Sequence, residues 1–132
     1  MKLIIHSDGG SRGNPGPSAI GFVIKDPIGK TVHSEGKQIG IQTNNVAEYI
    51  AIYMSILRAK ELGGKDITIY VDSELAQRQI TGAYKIKDRK LLKIYNKIKE
   101  EIKQFDNFEI IHVKREKNTE ADALVNVILG KK

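Results

Sequence analysis

The order of strand-like and helix-like segments is the feature of this sequence that most constrains its fold. Three strand-like segments come first, at residues 2–8, 19–26 and 31–39, and such a series predicts antiparallel hairpins. The later segments predict a helix over 43–62, a strand over 67–71, helices over 73–81 and 88–104, a strand over 108–114, and a last helix capped by Asn118 and reaching about Leu129. Alternating strands and helices favour parallel pairing. The sequence therefore predicts a mixed sheet with helices packed on it, in a single α/β domain over residues 1–132.

Cysteine content and charge limit the kinds of site that the chain can build. There are no cysteines, which excludes disulfides, thiolate zinc sites and cysteine nucleophiles, so oxygen atoms are the expected ligands for any metal. Lys and Arg number 22 against 16 Asp and Glu, and this basic surplus favours polyanionic partners. No apolar run is long enough for a membrane helix or an export signal. We therefore expect a cytoplasmic protein without a membrane partner. A monomer is a separate expectation, which these features do not decide.

Two aspartates stand at the ends of apolar strands. Asp8 ends the first predicted strand and Asp72 ends the strand at 67–71. In open α/β sheets, ligands bind at the edge where the carboxyl ends of the strands meet. Each aspartate also has a structural explanation. Asp8 could be a turn residue at the head of a predicted loop over 9–17, and Asp72 could be the N-cap of the helix over 73–81.

Two further carboxylates lie on predicted helices. Glu48 lies in a helical stretch, 46–57, in which Ser55 is the only other polar residue. A helix that is apolar on nearly every side is buried, and a buried carboxylate is costly unless it meets a cation or hydrogen-bond donors. Glu48 is therefore a candidate functional residue. Asp122 lies near the start of the last helix, where the helix dipole alone would explain an acidic side chain.

Four blocks of sequence resemble the type 1 ribonuclease H family. They occur in family order, each contains one of these carboxylates, and together they extend over most of the chain. The blocks are Asp8-Gly9-Gly10-Ser11-Arg12-Gly13-Asn14-Pro15-Gly16-Pro17, Thr43-Asn44-Asn45-Val46-Ala47-Glu48, Tyr70-Val71-Asp72-Ser73 and the segment 113–124. The resemblance implies a ribonuclease H-like fold, with a five-stranded mixed sheet, the first three strands antiparallel, and helices on both faces.

The resemblance also implies an activity and a site. It implies hydrolysis of the RNA strand of RNA/DNA hybrids by two-metal-ion catalysis, leaving 5′-phosphate and 3′-hydroxyl ends. The metal and catalytic ligands would be Asp8, Glu48, Asp72 and Asp122. Carboxylates brought together repel one another, and an all-oxygen set of ligands favours Mg²⁺ or Mn²⁺, two ions per site, over zinc. Double-stranded RNA is an alternative substrate. A non-catalytic nucleic-acid-binding module is an alternative of another class, and it would predict a damaged carboxylate set.

Individual roles follow from the same resemblance. Asp8 would bridge both ions, Asp72 and Asp122 would each complete the ligand set of one ion, and Glu48 would bind an ion and approach the ribose 2′-hydroxyl that distinguishes RNA from DNA. The residues expected to contact sugars and phosphates of the hybrid are Asn14, Thr43, Asn44 and Asn45. Such contacts carry no sequence information, so cutting is expected to be sequence-independent. An Asn-Pro turn at Asn14 and a helix cap at Thr43 are compatible alternatives.

The sequence departs from the family pattern in two places. Many members carry a His in the loop before the last carboxylate, but residues 115–121 contain none, and Arg115 lies near that position, as in an Arg-containing subgroup. Arg cannot be a general base at neutral pH, but it could hold a phosphate or help expel product; an exposed, purely structural Arg is the alternative. The Lys-rich segment over 85–103 lacks the aromatic-rich protrusion of other members, so it is either a solvated helix face or a weak substrate handle.

Overall fold

The computed structural model describes residues 1–130, which form one sheet with helices on both of its faces. The strands are β1 (Lys2–Ser11), β2 (Gly16–Lys25), β3 (Thr31–Gln42), β4 (Asp66–Val71) and β5 (Asn107–His112). The helices are α1 (Asn44–Glu61), α2 (Glu74–Ile80), α3 (Arg89–Ile102) and α4 (Thr119–Leu129), with a short 3₁₀ turn at Arg115–Lys117 before α4. The predicted order of elements is confirmed, and their boundaries differ mainly at the ends of the first three strands.

The sheet is mixed, with the strand order β3-β2-β1-β4-β5. β2 is antiparallel to both β1 and β3, whereas β4 is parallel to both β1 and β5. This confirms the five-stranded mixed sheet with three leading antiparallel strands. The connections between the strands explain the two modes of pairing. A hairpin turn can join antiparallel strands, as between β1, β2 and β3, whereas a parallel strand needs a longer crossover connection. Here α1 precedes β4, and α2 and α3 precede β5.

The main core lies on the face of the sheet that α1 covers. Alternate residues of β1, β2 and β4 point into it, and α1, α2 and α3 close it from the other side. α4 covers β2 and β1 on the opposite face, where Ala121 and Val125 are buried. No helix within residues 1–130 is long and apolar enough to cross a membrane.

The predicted loop over 9–17 was too long. β1 continues through Gly9 and Gly10 to Ser11, and β2 already begins at Gly16. Glycines are typical turn residues, but Gly9 is required here by packing. A Cβ at Gly9 would lie 2.2 Å from the backbone oxygen of Ala47 in α1. Glycine at this position therefore lets α1 approach β1 closely, next to Asp8 on one element and Glu48 on the other.

We expect Gly9→Ala to lower the free energy of unfolding by about 3 kcal/mol, because the added methyl meets helix backbone that cannot rotate away. The melting temperature should fall by roughly 10 °C for a domain of this size. Gly10→Ala is the matched control, since its Cβ would meet only Val125 Cγ1 at an ordinary 3.6 Å. Equal melting temperatures for the two variants would show that the β1–α1 contact does not need glycine.

Two cap interpretations differ from the structure in different ways. Ser73, and not Asp72, is the N-cap of α2, where its hydroxyl accepts a hydrogen bond from Ala76 N at 3.1 Å. Asn118 occupies the N-cap position of α4, as predicted, but its side chain makes no cap hydrogen bond there. Its amide instead donates to the backbone oxygen of Ser7 at 2.8 Å, so it joins the start of α4 to β1. Asp72 is therefore not used as a helix cap, and Asn118 supports the strand that carries Asp8.

Candidate active site

The neighbouring strands β1 and β4 place two aspartates side by side. These strands run parallel, and Ser7 pairs with Val71. Asp8 and Asp72 are the next residues along the chain, so they lie next to each other. Asp8 is within β1 and only 6% exposed, which excludes the turn interpretation. The sheet therefore builds half of the predicted carboxylate set directly from strand register.

The two helices that pack on opposite faces supply the other half. Glu48 lies in the first turns of α1, where the close contact at Gly9 brings the helix against β1. One carboxylate oxygen from each of Asp8, Glu48 and Asp72 lies within 4.8 Å of the others. Asp122, in the first turn of α4, lies against Asp8, close enough for the two carboxyls to share a hydrogen bond. The structure thus brings all four predicted carboxylates together.

Burial and mutual repulsion make this cluster hard to ionise. Burial is the largest cause that raises the pKa of Asp8 to about 7, followed by the charges of Asp72 and Asp122, and Arg115 opposes the shift. Burial also raises the pKa of Glu48 well above its usual range, and Asp8 and Asp72 add to that shift. The pKa of Asp72 is raised by burial, against the favourable charge of Arg115. At neutral pH the site therefore needs protons or cations to balance its charge.

The residues present fit a hard divalent cation. Oδ2 of Asp72 is buried and has no hydrogen-bond partner within residues 1–130, and the guanidinium of Arg115 lies 3.8 Å from it, too far for a hydrogen bond. A buried carboxylate oxygen in this state is costly, and a metal ion bound to it would remove the cost. All the available donors are carboxylate oxygens, the type that Mg²⁺ and Mn²⁺ prefer and that zinc sites use less. Asp8, Glu48 and Asp72 could together hold such an ion, and Asp122 lies beside them.

Arg115 places a positive charge at the mouth of the site. It belongs to the 3₁₀ turn before α4, its side chain is 71% exposed, and its Nε lies 3.8 Å from Oδ2 of Asp72. This distance is an ion-pair contact and too long for a hydrogen bond. The guanidinium therefore retains donors that can reach an anion at the surface, as the sequence interpretation of Arg115 requires.

Asp8, Glu48 and Asp122 line an open cleft of about 320 Å³ that continues toward the start of α1. Ser11 N donates to Oδ1 of Asn44 at 3.0 Å, and Asn44 N donates to Oδ1 of Asn14 at 3.0 Å. Both amide oxygens are thus used within the protein, and the NH₂ groups of Asn14 and Asn44 make no hydrogen bond within the described part of the chain. The two amides form a fixed row of donors beside the carboxylates.

The remaining predicted contact residues lie at the same helix end. Thr43 is the N-cap of α1, with its Oγ1 accepting a hydrogen bond from Val46 N at 3.2 Å, so the cap interpretation is correct. Its hydroxyl proton remains available as a donor. Asn45 is exposed on the first turn. Asn14, Thr43, Asn44 and Asn45 therefore cluster on one surface next to the carboxylate cleft.

Three residues of the site were missed by sequence reasoning. Asn118 was interpreted as a helix cap, although it is buried beside β1. Arg12 and Asn126 line the cleft and hydrogen-bond to each other, but neither was given a role. The four-residue spacing of Asn126 from Asp122 was the available signal, because such residues lie on one face of a helix.

The sequence and the fold are similar to those of known ribonucleases H. A family model described as reverse transcriptase-like matches residues 6–128. The chain is 42% identical over 128 residues to ribonuclease HI of Halobacterium salinarum, covering 97% of this chain and 64% of that protein. A crystal structure of ribonuclease H1 from Halobacterium salinarum superposes with a TM-score of 0.95 at 40% identity, covering 98% of both chains. LC11 ribonuclease H1 in complex with an RNA/DNA hybrid superposes with a TM-score of 0.90 at 41% identity, covering 95% of this chain and 94% of that one.

The fold and the carboxylate cluster define a ribonuclease H-like domain. At this identity and coverage the chain belongs to the type 1 ribonuclease H family. It spans 35% of the length of mycobacterial relatives with the same 42% identity, 64% of the Halobacterium salinarum ribonuclease HI and 59% of a Bacillus subtilis relative.

Proposed function

We propose that this chain is a metal-dependent endoribonuclease that hydrolyses the RNA strand of RNA/DNA hybrids and leaves 5′-phosphate and 3′-hydroxyl ends. The observation that supports it most is the meeting of Asp8, Glu48 and Asp72 within 4.8 Å, with Asp122 beside them, in a cleft that is open to solvent. LC11 ribonuclease H1, a relative with the same fold, is known as a complex with such a hybrid. The whole of residues 1–132 would be a single catalytic domain.

The carboxylates would hold Mg²⁺ or Mn²⁺, with two ions per site. Ions held there supply Lewis-acid activation of water and neutralise charge at the scissile phosphate. Asp8 lies close to each of the other three carboxylates and is suited to be shared between ions. Asp72 and Asp122, which both lie close to Asp8, would each complete one set of ligands. Neither Cys nor a Ser–His pair at the cleft offers a covalent route within the part of the chain that the structure describes.

Glu48 and the amide row would select the hybrid. Glu48 borders both the cluster and the start of α1, so it would meet the 2′-hydroxyl of the ribose beside the cut. Asn14, Thr43, Asn44 and Asn45 would donate to sugar and phosphate oxygens on either side of it. The side chains of Asn14, Thr43 and Asn44 are held by hydrogen bonds from backbone N–H groups, which suits recognition of shape and backbone without base readout. Arg115 would hold the phosphate at the mouth of the cleft or help release the product.

A substrate panel tests this proposal. End-labelled RNA/DNA hybrid, double-stranded RNA, double-stranded DNA and single-stranded RNA would each be incubated with Mg²⁺ or Mn²⁺, and the fragments mapped at single-nucleotide resolution. The proposal expects internal cuts in the RNA strand of the hybrid at many sequence positions, with the DNA strand intact. Faster cutting of double-stranded RNA would favour the alternative substrate. Tight hybrid binding without any fragment would favour a non-catalytic binding module.

The lysines of α3 give a prediction about affinity. Lys90, Lys93 and Lys97 are exposed on one side of α3, and Nζ of Lys90 contacts Oε1 of Gln42, beside the amide row. If this face is a substrate handle, changing all three to Gln weakens hybrid binding. The slope of log affinity against log salt should then become shallower by about 0.9 for each phosphate that the protein no longer neutralises.

The control for this lysine face removes three lysine charges from a different part of the surface. Lys2, Lys30 and Lys65 are exposed at the opposite end of the sheet, and their change to Gln should leave the salt slope at its wild-type value. Fluorescence anisotropy with a labelled hybrid in EDTA measures binding without cleavage. Equal slopes for the two triple variants would mean that the α3 lysines form only a solvated face.

A further inference from the structure

A chain of hydrogen bonds leads from Asp122 away from the acidic cluster. Asn126 lies one turn later on α4, and its Nδ2 donates to Oδ2 of Asp122 at 3.1 Å. Nη2 of Arg12 donates to Oδ1 of Asn126 at 2.8 Å. Arg12 and Asn126 both line the cleft that contains the carboxylates. The hairpin between β1 and β2 is thereby connected to the one carboxylate that α4 contributes.

Arg12 determines which way the amide of Asn126 points. A guanidinium can only donate, so the atom of Asn126 that faces it must be the oxygen, and the NH₂ group is left to face Asp122. Arg12 is itself held at several points. Its Nε donates to the backbone oxygen of Gly130 at 3.1 Å, and its backbone N–H donates to Pro17 O at 2.8 Å. The orientation of the amide is therefore set by an anchored group.

Asp122 needs such support more than its neighbours do. Asp8 and Asp72 are fixed by strand register, whereas Asp122 is a partly exposed side chain on a helix packed against the opposite face from α1. A carboxylate beside other carboxylates tends to turn away from them unless a donor holds it. Outer hydrogen bonds of this kind orient the ligands of metal ions, and their loss typically weakens metal binding by about 10- to 100-fold.

We propose that Asn126 is a positioning residue for Asp122 and that Arg12 acts through Asn126, so that the pair prepares the fourth carboxylate for a divalent cation. This inference rests on the proposed function, because it presumes that the cluster binds such an ion. It assigns roles to two residues on different elements, and it makes the β1–β2 hairpin part of the support of the site.

Mn²⁺ binding to the nucleic-acid-free protein, measured by isothermal titration calorimetry, tests the inference without using nuclease activity. Asn126→Ala should raise the Mn²⁺ dissociation constant by about 10- to 100-fold. Ala is the best helix former, so α4 should remain folded. Arg12→Ala should shift the constant in the same direction. Arg12→Lys should behave like Arg12→Ala, because Lys keeps the charge but lacks the fork that reaches both Asn126 and Gly130.

The double variant and a control complete the experiment. If Arg12 acts through Asn126, then Arg12→Ala/Asn126→Ala binds Mn²⁺ no more weakly than Asn126→Ala alone. Val127→Ala, at an 84% exposed position on the same helix, should match wild type. A Mn²⁺ dissociation constant of Asn126→Ala within threefold of wild type, even with a lower melting temperature, would overturn the inference. The inference would also fail if the two single substitutions each weakened Mn²⁺ binding and their effects multiplied in the double variant. Absence of Mn²⁺ binding to wild type would instead refute the proposed function.

Discussion

Asp8→Asn is expected to reduce cleavage of the hybrid by a factor on the order of 10³ or more and, at the same time, to stabilise the metal-free fold. The loss of activity follows because Asp8 lies close to each of the other three carboxylates and would be a ligand shared by both ions. Loss of the ions removes several kcal/mol of charge stabilisation from the transition state, and each 1.4 kcal/mol lowers the rate about tenfold. The gain in stability has a separate cause, which lies in the pKa of the same group.

The pKa of Asp8 is about 7 in the folded protein, above its usual value of 3.8. A raised pKa means that the folded state binds a proton more tightly than the unfolded state does, so ionised Asp8 destabilises the fold. The stability that protonated Asp8 contributes is fully present below about pH 4 and is lost as the pH rises through 7, by about 1.4 kcal/mol for each unit of the shift. Asn carries no charge, so the free energy of unfolding of the variant does not fall in this way between about pH 4 and pH 8.

Thermal unfolding in EDTA at pH 8 and at pH 5 measures this effect. The melting temperature of Asp8→Asn should exceed that of wild type at pH 8, and the difference should shrink at pH 5. Asp66→Asn is the control, since it removes a carboxylate at the start of β4, away from the cluster. A variant that is less stable than wild type at pH 8 would contradict the repulsion that the structure implies for Asp8.

Chelation of divalent ions is expected to abolish cleavage while the protein stays folded. The core is formed by apolar residues from β1, β2, β4 and the helices, and the carboxylates are not part of it. Adding Mg²⁺ or Mn²⁺ should raise the melting temperature, because an ion that binds only the folded state stabilises it by about 2.7 kcal/mol at 100 times its dissociation constant.

The stabilisation by ions should depend on pH. The pKa values of Asp8, Glu48 and Asp72 are all raised, so protons compete with the cation for these oxygens at low pH. The increase in melting temperature on adding Mn²⁺ should therefore be larger at pH 8 than at pH 5.5, and it should be largely absent in Asp8→Asn. Cleavage that continues in excess EDTA, or an increase independent of pH, would contradict a metal site at this cluster.

The sequence predicts most of this fold because its elements are specified locally. The apolar positions of α3, for example, are spaced by three and four residues, and Leu91 and Ile98 are buried as that spacing requires. β1 was predicted to end too early because Gly9 and Gly10 are typical turn residues. The reason for Gly9 is its distance from Ala47, a contact between residues far apart in sequence that no local pattern reveals.

The residues of the site also divide into those that local sequence predicts and those that depend on distant contacts. Asp8 and Asp72 could be predicted from strand ends, and Glu48 from its position in an apolar helix, but the convergence of these residues with Asp122 was implied only by the family resemblance. Asn118 and Arg12 were missed because their partners are 111 and 114 residues away in the chain. A local interpretation assigned Asn118 to a cap, whereas its burial beside Ser7 is set by how α4 packs on β1.

Anomalous diffraction from crystals of this protein grown with Mn²⁺ is the most direct test of the carboxylate site. The structure predicts manganese peaks in the cleft, about 2.0 to 2.4 Å from carboxylate oxygens of Asp8 and its neighbours Glu48, Asp72 and Asp122. Saturating Mn²⁺ with no peak in the cleft, while these side chains keep the positions described above, would contradict the assignment of the cluster as a metal centre.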